Sequence, residues 1–117
     1  MIAQVDHIPA PGETVIGGTF STAPGGKGAN QAVAAARAGG KVAFIARVGQ
    51  DNLGDAAIAG YNVDGIDTSH VLRDSEAPTG VALIFVGANG ENSIAVASGA
   101  NANLTPRDIQ KARAVIA

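Results

Sequence analysis

Cysteine and tryptophan are absent from the 117 residues, and aromatic side chains make up only 3% of them. Without cysteine, the chain can form neither a disulfide nor a thiolate metal site. Hydrophobic residues still account for 46%, so the core must be built from Ala, Val, Ile and Leu. The formal net charge of -2 leaves no excess of basic residues, and this argues against nucleic acid as a partner.

Long apolar runs are missing as well. No run approaches the ~18 residues that a membrane span requires. Residues 1–6 lack the basic flank and apolar stretch of a signal peptide. We therefore expect a cytoplasmic protein with no membrane partner. The two histidines, His7 and His70, lie far apart in the sequence, so we expect neither to be a metal ligand.

Glycine, by contrast, is abundant, with sixteen residues. Three of them surround one lysine in the stretch Pro24-Gly25-Gly26-Lys27-Gly28-Ala29-Asn30, which lies just before an alanine-rich run. Glycine lets a ligand approach the backbone, and the start of a helix presents free N–H groups and a partial positive charge. Lys27 and Asn30 stand three residues apart and would share a helix face. An ammonium beside an amide suits a polyhydroxylated or anionic ligand.

This stretch does not match the familiar phosphate-binding loops. A Walker A loop requires Gly, four residues and then Gly-Lys-Ser/Thr, but Ser21 and Gly28 occupy the two positions that would complete it. The pattern G-x-G-x-x-G fails because Gln31 stands where the third glycine belongs. From the spacing alone, two interpretations remain: a different ligand loop, or a tight helix entry without a ligand.

The hydrophobic pattern predicts alternating strands and helices. A second helix should extend to about residue 63 with Asp51 or Asn52 as its N-cap, and a last helix should begin with Thr105 as cap and Pro106 at its first position. Asn89-Gly90 predicts a hairpin. The predicted strands are residues 1–6, 14–22, 41–48, 68–73, 80–86 and 93–97, and the first helix is residues 27–38. This order indicates an α/β layer fold, with the hairpin strands outside the main layer.

Several motifs together resemble the ribokinase-like carbohydrate kinases. They are Pro-Gly-Glu-Thr at 11–14, Gly-Gly-Lys-Gly-Ala-Asn-Gln at 25–31, Val-Gly-Gln-Asp at 48–51, Thr-Gly-Val-Ala at 79–82 and Gly-Ala-Asn at 99–101. The resemblance covers nearly the whole chain. It implies the N-terminal part of a ribokinase-like α/β sandwich with a small β-sheet lid, whose strands lie at about 14–24 and 80–97. Within a sugar-binding turn and helix at 25–38, it assigns Gly26, Lys27 and Asn30 to the substrate.

The resemblance also implies an activity, cofactors and a partner. Ribokinases phosphorylate D-ribose to D-ribose 5-phosphate with ATP and Mg²⁺, are activated by K⁺, and form homodimers through their lids. Family members are much longer than this chain. Their sugar-binding Asn-x-Asp motif would fall just before Met1, and their Gly-Ala-Gly-Asp motif, with the anion hole and catalytic base, does not occur here.

From these departures we expect the 117 residues to hold only the sugar-binding and lid half, and to be inactive alone. We assign no catalytic, nucleotide-binding or metal-binding residue to them. The alternatives are a non-catalytic sugar-binding or lid-dimerising remnant, or part of a kinase for another small sugar or a nucleoside.

Overall fold

The structure is a computed structural model that describes residues 1–116. The chain divides into two compact units: unit 1 comprises Met1–Pro24 and Val81–Ala97, and unit 2 comprises Gly25–Gly80 and the chain from Ser98 onward. The strands are β1 (Ile2–Val5), β2 (Thr19–Ser21), β3 (Ala46–Gly49), β4 (Val71–Asp74), β5 (Val81–Gly87) and β6 (Asn92–Ala97). The helices are α1 (Lys27–Arg37), α2 (Asn52–Val63), α3 (Pro106–Lys111) and α4 (Arg113–Ile116), with a 3₁₀ helix at Gly99–Asn103.

Unit 1 contains a four-stranded sheet in the order β2-β1-β5-β6. Strands β5 and β6 form the predicted antiparallel hairpin, in which Val86 is opposite Asn92. At its tip, Gly90 adopts a positive φ of 85°, a conformation that glycine takes without steric cost. The predicted hairpin is therefore confirmed.

The long strand predicted at 14–22 is wrong in length, since only Thr19–Ser21 pairs with β1. Two glycines explain the late start. Gly17 turns the chain with a φ of 97°, and Gly18 lies so close to β1 that a Cβ there would be 2.7 Å from the carbonyl oxygen of Gln4. The backbone can lie against β1 at this point only without a side chain.

Strand β1 belongs to the sheet of unit 1, where it pairs antiparallel with β2 and parallel with β5. The strand after α1, β3, belongs to a separate two-stranded sheet. The pairing partner of β1 lies more than seventy residues away in sequence, so local periodicity does not reveal it.

Unit 2 is built around the unit β3-α2-β4, whose two strands are parallel and in register from Ala46 opposite Val71 to Gly49 opposite Asp74. The strand predicted at 41–48 is shortened to its last part, with only an isolated bridge from Ala43 to Asp67 before it. The segment before β4, which would have to pair with residues 41–45, forms a turn here, because the N–H of Val71 donates to the carbonyl of Thr68. That turn interrupts the ladder on both strands. It also explains why the strand predicted at 68–73 begins only at Val71, as β4.

The helix boundaries follow local sequence closely. Helix α1 ends in a Schellman motif, in which the N–H of Gly39 donates to Ala36 and that of Gly40 to Ala35, with Gly39 at φ 92°. Asp51 is the N-cap of α2, which confirms one of the two predicted caps. Thr105 caps α3 and Pro106 occupies its first turn, as predicted.

The buried hydrophobic residues are alanines, valines and one isoleucine, and all lie in unit 2: Ala32, Val48, Ile66, Val71, Ala100 and Ala112. The sheet of unit 1 leaves large apolar side chains exposed instead, with Phe20 at 68% and Val96 at 67% of their full exposure. Within residues 1–116, we find no helix with the length and apolar character needed to cross a membrane.

Candidate functional site

The glycine-rich turn before α1 brings the three predicted substrate residues together at one end of that helix. Gly26 is the N-cap of α1, Lys27 is its first residue and Asn30 completes its first turn. The N–H of Asn30 donates to the carbonyl of Gly26 over 2.8 Å, so the first turn closes directly on the glycine. The sequence predicted this local arrangement.

Backbone conformation accounts for glycine at position 26. Its φ is 96°, in the left-handed region that residues with a side chain rarely adopt. The space around it is open, since a Cβ on Gly26 would have only the Cβ of Ala29 near it, at 3.8 Å. Gly26 also provides no side-chain cap for α1, and no acidic residue stands in the first turn. The partial positive charge of this helix start is therefore not neutralised by its own first turn.

The polar groups of the turn face solvent. Gly26, Lys27 and Asn30 are all exposed, and neither the Lys27 ammonium nor the Asn30 amide has a side-chain hydrogen-bond partner among residues 1–116. An ammonium, which only donates, and an amide, which both donates and accepts, thus lie near free backbone N–H groups at one helix end. That set can bind hydroxyl groups or an anion. Their assignment to a sugar stays a prediction.

A second polar cluster surrounds Asp51 in unit 2. Its Oδ1 accepts hydrogen bonds from the Thr79 hydroxyl at 2.6 Å and the Gly54 N–H at 2.8 Å, and its Oδ2 accepts from the Thr79 N–H at 2.8 Å. These bonds, above all that from the Thr79 hydroxyl, lower the pKa of Asp51. The Thr79 hydroxyl in turn accepts from the N–H of Gly49 at 2.9 Å. Asp51 therefore caps α2 and also ties the end of β3 to Thr79.

Glycines let the backbone close tightly around this cluster. A Cβ on Gly54 would overlap the carbonyl oxygen of Gly49 and lie 3.0 Å from the Thr79 hydroxyl oxygen. Arg73 lies at the same point, donating from Nη1 to the Gly49 carbonyl at 2.9 Å and from Nη2 to Asp55 at 2.6 Å. The Val-Gly-Gln-Asp motif is thus a packing motif in this structure, since its glycine and aspartate hold β3, α2 and Thr79 together.

Asp74, which the sequence analysis did not single out, is a buried charged residue of unit 2, with 5% exposure. Its Oδ1 accepts from the N–H groups of Glu76 and Ala77, and its Oδ2 accepts from Arg47 Nε and Asn103 Nδ2, both at 2.8 Å. These four donors, led by the Ala77 N–H, hold the pKa of Asp74 well below its usual range. The pattern Asp-x-Glu-Ala signals the local turn, but nothing in the sequence signals the two distant donors.

The Asp74 network also holds the end of the 3₁₀ helix that begins with the Gly-Ala-Asn motif. Asn103 is the last residue of the 3₁₀ helix, and no non-glycine residue among 1–116 has a positive φ, so the asparagines here are not chosen for an unusual backbone angle. The N–H of Ala100 donates to the Pro78 carbonyl at 2.7 Å. Asn103 therefore serves as a hydrogen-bond donor to a buried carboxylate.

In unit 1, His7 and Glu13 form an exposed pair. His7 Nε2 lies 3.0 Å from Glu13 Oε1, which also accepts from the N–H of Ala10 at 3.0 Å. Glu13, chiefly by its hydrogen bond, raises the pKa of His7, while the Ala10 N–H lowers the pKa of Glu13. Across residues 1–116, no three His, Cys, Asp or Glu side chains are grouped so that they could hold a metal ion.

Comparison with known proteins finds carbohydrate kinases that match all or nearly all of the chain. The family model of the pfkB family carbohydrate kinases matches residues 1–117. A ribokinase of Haemophilus influenzae is 46% identical over 116 residues, which cover 99% of this chain and 38% of the relative. A deoxyribokinase of Salmonella typhi is 43% identical over 112 residues, covering 96% of this chain and 37% of the relative.

A solved structure agrees in fold. The structure of Arabidopsis thaliana ribokinase complexed with ribose and ATP superposes with a TM-score of 0.76 at 33% identity, over 86% of this chain and 33% of that one. The present chain thus spans little more than a third of the length of these relatives, and its fold is part of the ribokinase fold. On the family match and these identities, the chain belongs to the pfkB family of carbohydrate kinases.

Proposed function

We propose that these residues form the sugar-binding part of a ribokinase, which transfers a phosphoryl group from ATP to D-ribose and yields D-ribose 5-phosphate. The observation that carries the proposal is 46% identity to a ribokinase over 99% of the chain. The exposed glycine-rich turn supports it, because backbone N–H groups, an ammonium and an amide are suited to fix the hydroxyls of a small sugar.

In this proposal Gly26, Lys27 and Asn30 are the substrate-binding residues. Gly26 supplies the backbone turn that leaves the start of α1 open. Lys27 donates to a sugar hydroxyl as a charged donor, and Asn30 both donates and accepts. None of the three acts as an acid or base, so their task is to position the reacting hydroxyl.

ATP supplies the phosphoryl group, and the family resemblance adds Mg²⁺ and K⁺. The family resemblance puts the sites for those groups in parts of the relatives that this chain does not cover. We therefore assign none of its residues to the nucleotide or to either ion. We expect residues 1–117 by themselves to show no ribose-dependent ADP formation, because the Gly-Ala-Gly-Asp motif does not occur among them.

We further propose that unit 1, which contains all of the predicted lid residues 14–24 and 80–97 except Gly80, is the lid of this family and pairs with a second copy. Exposed Phe20, Leu83, Ile94 and Val96 support this, because apolar side chains on a small sheet favour a protein partner. Sedimentation velocity tests it: the native chain should form a dimer, and Ile94→Thr with Val96→Thr should shift it to monomer. A native monomer at micromolar concentration would contradict the pairing.

Phosphorylation of 2-deoxyribose is a second candidate, favoured by 43% identity to a deoxyribokinase. A non-catalytic sugar-binding role is a third. ADP formation by the polypeptide that carries these residues separates the three: turnover with ribose supports the first, turnover with 2-deoxyribose alone supports the second, and sugar binding without any turnover supports the third.

The role of the turn is tested by titration calorimetry with ribose on Lys27→Ala and Asn30→Ala. Loss of one neutral hydrogen bond weakens binding about fivefold, and loss of a charged donor about tenfold or more. Lys41→Ala and Asn52→Ala are the matched controls, since both residues are exposed and lie outside the turn. Unchanged affinity in both turn variants would show that the turn is structural only.

A further inference from the structure

The hairpin between β5 and β6 carries an asparagine followed by glycine at its tip. Asn89 and Gly90 are exposed, Gly90 has a φ of 85°, and no atom lies within 4 Å of the position that a Cβ on Gly90 would occupy. Each of the other six asparagines precedes a residue with a side chain, and Asn30, Asn52 and Asn62 lie in helices. Asn89 thus differs from the other asparagines in being followed by a glycine, in an exposed turn.

We propose that Asn89 is a site of spontaneous deamidation, a covalent modification that does not depend on the proposed kinase function. The backbone nitrogen of Gly90 loses its proton to water and attacks Cγ of Asn89. The Nδ2 group leaves as ammonia, and a five-membered succinimide joins the two residues. Water then adds to either ring carbonyl, which gives aspartate or an isoaspartyl linkage. The balance is one water consumed and one ammonia released.

The contacts of the turn favour the attack. Asn89 Oδ1 accepts a hydrogen bond from the N–H of Glu91 at 3.0 Å. Negative charge develops on this oxygen when Cγ becomes tetrahedral, so a donor already in place stabilises that step. No partner among residues 1–116 holds the departing Nδ2 group, and absence of a Cβ on Gly90 leaves room for the ring.

One contact opposes the attack. The N–H of Gly90 donates to the Gly87 carbonyl at 3.0 Å, and this bond must open before the nitrogen can react. A single solvent-exposed hydrogen bond slows the reaction only about fivefold. Since Ala88, Asn89 and Gly90 are all exposed, local opening does not require the sheet to unfold.

The product alters the hairpin in two ways. Aspartate at position 89 adds a negative charge two residues from Glu91. An isoaspartyl linkage adds one carbon to the backbone of the turn and strains the pairing of Val86 with Asn92. As it ages, the protein therefore becomes a mixture of asparagine, aspartate and isoaspartyl forms at the tip of the hairpin between β5 and β6.

The test is incubation of the chain at mildly alkaline pH, followed by proteolysis and fragment-ion mass spectrometry of the peptide from Asp74 to Arg107. A synthetic peptide of residues 84–95 provides the unfolded rate. We expect conversion at Asn89 within about tenfold of that rate, since one exposed hydrogen bond must open. Asn92 and Asn101 lie in the same proteolytic peptide and are internal controls that should stay intact.

A second variant separates turn chemistry from a general instability. Asn89→Gln lengthens the side chain so that a five-membered ring cannot form, and it should retain its amide while the chain remains folded. Two results would overturn the proposal. One is an intact Asn89 after the synthetic peptide has fully converted, and the other is equal conversion at Asn92 or Asn101.

Discussion

Thr79→Val removes one oxygen atom from the Asp51 cluster while keeping the size of the side chain. The Thr79 hydroxyl donates to a carboxylate at 2.6 Å and accepts from the buried Gly49 backbone at 2.9 Å. The backbone bond from the Thr79 N–H to Asp51 remains, since valine retains its amide. The substitution therefore isolates the hydroxyl.

The magnitude follows from these two bonds. A hydrogen bond to a charged group contributes about 1.5–3 kcal/mol, and an amide N–H left without a partner costs about 1–3 kcal/mol. Because the two bonds share one oxygen and valine buries slightly more apolar surface, we expect a net loss of about 2–4 kcal/mol for Thr79→Val. That is a large fraction of the ~5–15 kcal/mol by which domains are stable.

Thr68→Val is the matched control, because the Thr68 hydroxyl donates to Asn62 at 2.9 Å on the exposed surface. We expect a loss of at most about 0.5 kcal/mol there. Urea unfolding followed by circular dichroism measures the free energy of unfolding of both variants. An unchanged slope of that free energy against urea concentration shows that the variants differ in stability alone. Thr79→Ser restores the hydroxyl and should recover most of the loss. Equal stabilities for Thr79→Val and Thr68→Val would refute the reasoning.

Two further variants test other parts of unit 2. Gly54→Ala should destabilise the chain because its Cβ would overlap the Gly49 carbonyl, whereas Gly60→Ala in the same helix has open space and should stabilise by about 0.5–1 kcal/mol. The same unfolding assay decides, and a gain for both would show that the backbone at position 54 can shift. Asp74, whose pKa is lowered in the folded chain, stabilises it above about pH 4 and loses that contribution as the pH falls towards the folded pKa. Wild type should therefore lose more stability on acidification below about pH 4 than Asp74→Asn does, and parallel pH profiles for the two proteins would contradict this.

Local signals in the sequence predicted the helices well. The caps Asp51 and Thr105, the glycines after α1 and Asn89-Gly90 act within a few residues of themselves, and each appears as predicted. Strand ends were less predictable. The ladder of β3 and β4 is cut by a turn in the partner strand, and a strand cannot be longer than the partner it pairs with.

In the candidate site, too, local features could be predicted and distant contacts could not. The position of Lys27 and Asn30 on one helix start could be predicted, since it depends only on helix geometry. The network around Asp74 could not, because Arg47 and Asn103 lie 27 and 29 residues away in sequence. The role of the turn in sugar binding rests on family resemblance and stays a prediction.

The pairing of β1 with β5 has a consequence for synthesis. Ile2 lies opposite Ile84, so the chain must be made past residue 81 before β1 meets its main partner. Until then β1 has only the three residues of β2 beside it, and a two-stranded ribbon is at best marginally stable. The segments of unit 2 from α1 to β4 leave the ribosome earlier and contain their own parallel pair. During translation, unit 2 can begin to fold while an unpaired edge of β1 is still exposed to chaperones and to other nascent chains.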